Sequence, residues 1–230
     1  MLPGFGRAFT ITLSYVSLVV LLPLAVMVLM AMGIGWSGYW TLILQPRVLA
    51  AFRVSLVASG LAAGISALAG LLIAWVLSRY RFPGRRLADA LLDLPFALPT
   101  AVAGISLAAL YSPDGWIGHL LVPLGIRVAF TPPGILIALT FISLPFVVRS
   151  VQPVLEEIDA EQEEAATTLG ASGFQIFRRI TLPAILPSLL TGTTLAFARA
   201  IGEYGSVIFI AGNQPMVSEI VPLLIVIQLE

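Results

Sequence analysis

The 230 residues contain no cysteine, no lysine and one histidine. Without cysteine there is no disulfide, thiolate metal site or cysteine nucleophile. The single histidine, His119, excludes a His-rich metal cluster. Charge is scarce as well: 10% of residues are charged, where a soluble domain carries about 25%. Twelve arginines balance twelve acidic residues, so no basic field attracts nucleic acid. No GxxxxGK[ST] loop is present, so no phosphate cradle of that kind holds ATP. The sequence therefore predicts neither an enzyme nor a metal or cofactor site, and no nucleic-acid partner.

In place of charge stand long apolar runs. Apolar residues make up 59% of the chain, and mean hydropathy is +1.02. This composition predicts an all-α membrane protein in contact with lipid, since a span needs about 20 apolar residues. Five runs qualify: Phe9 to Met32, Val54 to Leu77, Leu94 to Tyr111, Gly134 to Val148 with its flanks, and Leu186 to about Gly212. The first is too long for a signal-peptide core and is read as a retained span. Gly60, Gly64, Ser66 and Gly70 in the second suit close helix approach. Pro95, Pro99 and Pro145 predict bent helices whose neighbours satisfy the freed carbonyls.

Arginine placement sets direction. With the N-terminus inside, inner segments hold eight arginines (7, 79, 81, 85, 86, 149, 178 and 179) and outer segments three (47, 53 and 127). The predicted orientation is N-terminus cytoplasmic. The chain closes on an apolar run from Val221 that is too short to cross, which predicts that a sixth span follows. Asp89 and Asp93 are expected to pair at the inner surface, Asp89 with Arg85 one helical step away.

The inner segment from Arg149 to Pro183 is acidic in its first half. It reads as one helix over 160–169, capped by Gly170 in the left-handed conformation. A second short helix follows over 173–181, with Ser172 as N-cap and Pro183 as its stop. Phe174 and Phe177, and Ile176 and Ile180, give the second helix an apolar side. The residues alone leave two readings open: a docking element and an amphipathic loop lying on the membrane.

Glu164-Ala165-Ala166, three residues, Gly170, nine residues, then Ile180-Thr181-Leu182-Pro183 resembles the EAA signature of bacterial ABC-importer permeases. The stretches 80–85, 93–104 and 196–205 are similar to the sulfate and molybdate permease group. Residues 150–157 and 207–213 resemble the T-subunit branch of sulfate/thiosulfate importers. The resemblance implies a helical bundle of the type I ABC importer permease kind, with five spans present and a sixth missing. It divides the chain into an N-terminal span and outer loop (1–53) and a permease domain (54–230). Glu164, Ala165, Ala166, Gly170, Ile180, Leu182 and Pro183 would form the loop that docks on an ATPase subunit. The implied partners are two ATP-binding cassette subunits, a second homologous permease and a periplasmic sulfate-binding protein, at the bacterial inner membrane.

Arg199 and Glu203 stand four residues apart in the fifth run. Charges within a membrane cost about 2.5–3.5 kcal/mol on insertion scales, so they pair, face the bundle or line water. Two roles stay open: an ion-pair lock, and a contact or gate on the path of a dianion, whose oxygens suit a guanidinium fork. A molybdate or other oxyanion permease is the near alternative. An ion-coupled secondary transporter is more distant, because internal repeats and midplane carboxylates are sparse.

Overall fold

The computed structural model describes residues 5–158 and 160–229. No strand occurs among the described residues, and the chain divides into two compact units between Leu49 and Ala50. In the first unit, α1 (Phe5–Gly33) is apolar on all sides and long enough to cross a bilayer. Its turn Ser17–Leu21 widens to π geometry just before Pro23, which has no N–H to return to the carbonyl four residues back. Gly35, at φ +73°, turns the chain into α2 (Gly35–Ile43). There Trp36 and Trp40 meet edge to face at 5.6 Å between ring centroids. Such amphipathic rings suit the headgroup level.

The second unit holds α3 (Pro46–Arg79) from Ala50 onward, α4 (Arg85–Leu92), α5 (Leu94–Ala97), α6 (Thr100–Tyr111) and α7 (Gly118–Leu121). It continues with α8 (Pro132–Glu157), α9 (Ala160–Thr168), α10 (Gly173–Ile201), α11 (Val207–Ile210) and α12 (Val221–Leu229). Helix α8 is central. On one side Val147 fills the space over Gly70 of α3, where a Cβ would stand 2.8 Å from the valine Cβ. On the other its Cα faces Gly192 of α10, where a Cβ would approach to 2.9 Å. Lipid tails are as apolar as leucine, so close packing of this kind holds membrane helices together in place of water exclusion. The buried face of α3 is correspondingly small: Ala51, Ser55, Ser59, Ala62, Ser66 and Gly70 follow helical spacing. Ser66 and Ser143 exchange a buried hydroxyl hydrogen bond of 2.8 Å. Gly60 and Gly64, expected at helix contacts, have open space around them instead.

The all-α bundle agrees with the sequence reading, while three of its boundaries shift. The third run is not one continuous helix. Leu98, which precedes Pro99, is extended (φ −87°, ψ 137°), because a residue before proline clashes in the helical region. The chain breaks into α5 and a twelve-residue α6, about 18 Å long against the roughly 30 Å of a hydrocarbon core. Four helices among the described residues are long and apolar enough to cross. Pro183 does not stop the second loop helix, since Gly173 to Ile201 is one continuous helix. Its turn Phe177–Thr181 is again π-helical, two residues ahead of the proline, and this widened turn accommodates the missing donor. At the far end α10 closes at Ile201, well short of Gly212.

Candidate functional site

The loop helix α9 ends in a left-handed residue as its sequence requires. Gly170 has φ +83°. Its N–H donates to the Thr167 carbonyl at 2.9 Å, and the Ala171 N–H donates to Ala166 at 3.0 Å. This paired pattern is the Schellman ending, which satisfies carbonyls a bare helix end would leave open. Two residues on, Ser172 and Gln175 form a reciprocal capping box that starts α10. The chain therefore turns at a sharply defined corner. Around it lies an open groove of about 460 Å³, lined by Ala166, Leu169, Gly170, Ile176, Arg179 and Ile180. Glu164, Ala165 and Gly170 are exposed; Ala166, Ile180 and Leu182 are half-buried; Pro183 is exposed. Leu169 and Phe174 project, at 88% and 71% exposure. Phe177 instead turns inward and meets Trp75 of α3 edge to face at 5.5 Å.

Behind this corner lie ion pairs that helix-local reasoning did not find. Glu163, next to the exposed Glu164, points the other way and accepts from Arg79 Nη2 at 2.6 Å. The same Oε1 accepts the Thr181 hydroxyl at 3.1 Å. The expected pairing of Asp89 with Arg85 is replaced. Arg149 of α8 holds both carboxylates, with Asp93 bound bidentately at 2.9 and 2.8 Å and Asp89 Oδ1 at 2.6 Å. Arg149 also donates to the Asp89 carbonyl at 2.9 Å, so it fixes backbone as well as charge. Arg85 reaches Glu156 at 3.4 Å instead. These partners are 56 to 84 residues apart, a separation that spacing rules for single helices cannot span. The one signal available was Arg79 and Arg149 standing at the ends of apolar runs.

Arg199 and Glu203 do meet, Nη1 to Oε2 at 2.5 Å. They are not on one stretch of helix, however. Arg199 is in the last turn of α10, about 39 Å along it from Gly173 at helical rise, and Glu203 lies past its end. The carboxylate is 2% exposed, and its second oxygen accepts the Ser206 N–H and hydroxyl at 2.9 and 3.0 Å. Glu203 thus folds the chain between α10 and α11 while keeping a buried charge satisfied. A small void beside it is lined by Ser55, Ser59, Leu139, Ala200 and Ile220. Glu219, also buried, was not singled out by the sequence pattern.

Residues 66–228 match the family described as binding-protein-dependent transport system inner membrane component. The chain belongs to this family. Membership makes it a permease component of an importer at the inner membrane, working with ATP-hydrolysing and substrate-binding partners. Relatives support the placement over the whole length. The sulfate transport system permease protein CysT of Salmonella typhimurium is 49% identical over 230 residues, covering 100% of this chain and 83% of the relative. The Escherichia coli protein of the same name gives the same identity and coverage, and that of Synechocystis is 45% identical over 96% of this chain and 78% of its own. Among solved structures, a bacterial ABC transporter that imports the acidic polysaccharide alginate superposes with a TM-score of 0.78. It covers 96% of this chain and 82% of its own at 18% identity, a likeness of fold.

Proposed function

We propose that this chain is a transmembrane permease subunit of an ATP-driven sulfate/thiosulfate importer. The observation that carries the reading is 49% identity across its full length to permeases named for sulfate transport. The chain lies with its N-terminus in the cytoplasm, as arginine placement favours. It works with two ATPase subunits, a second homologous permease and a periplasmic protein that selects the anion. Residues 54–230 form the permease domain. Glu164, Ala165, Ala166, Gly170, Ile180, Leu182 and Pro183 make the surface that receives the ATPase. The outward Glu164 and the groove beside Gly170 support that assignment. Arg199 and Glu203 flank the anion's path as a gate contact, because a site that binds too tightly would trap the ion.

Gly170→Val tests the docking surface. No atom would meet the new Cβ within 4 Å, so the substitution acts through backbone alone. A β-branched residue at positive φ is strained by about 1–2 kcal/mol and would turn the corner differently. In the complete importer the expected result is normal membrane level with loss of radiolabelled sulfate uptake and of ATPase co-purification. Normal uptake by the variant would refute the docking assignment. Uptake of molybdate in place of sulfate by the wild type would overturn the substrate.

A further inference from the structure

We propose that Glu163 is a positioning residue: it latches α9 to the end of α3 and to a turn within α10, so that movement of α9 reaches both helices together. The inference rests on α9 being the element that an ATPase subunit moves. Successive helix residues point about 100° apart, so a helix that offers Glu164 outward turns Glu163 toward the bundle. There the carboxylate holds two other elements at one oxygen. Arg79, the last residue of α3, donates at 2.6 Å, and Thr181 of α10 donates at 3.1 Å.

Each anchor is itself fixed. The Arg79 guanidinium lies 5.5 Å over the Trp75 ring, and that ring meets Phe177 of α10. Thr181 is fully buried and closes the π turn Phe177–Thr181. That turn is where α10 departs from regular hydrogen bonding, and such turns are points of local adjustment. Displacing Glu163 therefore pulls on the end of one long helix and on the adjustable turn of another. The Arg79 and Glu163 side chains are only 23% and 24% exposed, so solvent screens this pair less than a surface pair.

The test uses the complete importer in proteoliposomes, with ATP hydrolysis and sulfate uptake measured on the same sample. Glu163→Gln leaves the outward face of α9 untouched, so ATPase subunits should still co-purify. Sulfate moved per ATP should fall by at least about fivefold, the lower range of inter-site coupling. The charge swap Glu163→Arg with Arg79→Glu restores the ion pair but not the cation over Trp75, so it should regain part of the ratio. Unchanged transport per ATP in Glu163→Gln, or failure of the swap to regain it, overturns the latch. Loss of co-purification equal to that of Gly170→Val would make Glu163 a docking residue and also overturn it. Should Glu163→Gln not assemble, Thr181→Val removes one strand of the latch and keeps the ion pair; a wild-type ratio there overturns the proposal. If Gly170→Val lowers the ratio and the Glu163 and Thr181 variants do not, the latch alone fails. If none of them does, the docking reading fails first.

Discussion

Replacing Arg149 by methionine removes a cation that holds two acidic residues and one backbone carbonyl on the segment before α6. Four hydrogen bonds to Asp89 and Asp93 are lost. Fully exposed ion pairs contribute about 0.2–1 kcal/mol, whereas breaking a buried pair costs about 3–5 kcal/mol. Here the arginine is 31% exposed and the aspartates 39% and 50%. Solvent screening therefore pulls the estimate to about 2 kcal/mol, between those limits. In a chain of this size each kcal/mol shifts the unfolding midpoint by about 2–4 °C, so thermal unfolding in detergent should show a drop of about 4–8 °C. Lysine keeps the charge but cannot present the bidentate fork to Asp93, so Arg149→Lys should fall between wild type and Arg149→Met. A methionine variant that unfolds with the wild type would refute the claim that this cluster ties α4 and α5 to α8. A lysine variant equal to wild type would refute the importance of the fork.

Gly192→Ala and Gly64→Ala make a matched pair, since both gain helix propensity. The first drives a Cβ toward Val147 and should lose about 1–3 kcal/mol by overpacking, while the second, in open space, should be neutral or stabilising; equal melting points would contradict the α8–α10 contact. Arg199→Gln should reduce membrane level, because it leaves Glu203 buried without its cation, at about 3–5 kcal/mol. Adding Glu203→Gln should restore the level. Sulfate uptake normalised to that level then separates the roles: recovery to the wild-type value would refute a path contact, and continued loss with normal assembly would support it.

Composition alone determined that this is a helical membrane protein. An apolar run of membrane thickness has one economical backbone solution in lipid, because hydrogen bonds within the helix leave no polar group unpaired. Local chemistry likewise determined the corner at Gly170 and the cap at Ser172, since both depend on residues within five positions of one another. Tertiary structure decided which charges meet. Arg149 chose Asp89 and Asp93 over nearer acids, and Glu163 chose Arg79, because the packing of α8 against α3 and α10 brings those ends together. It also decided how each proline is accommodated. Pro99 breaks the third run at an extended residue, whereas Pro183 passes into a long helix behind a widened turn. The amino acid is the same in both places; what differs is whether the neighbouring backbone can re-satisfy the carbonyl that a missing N–H leaves open.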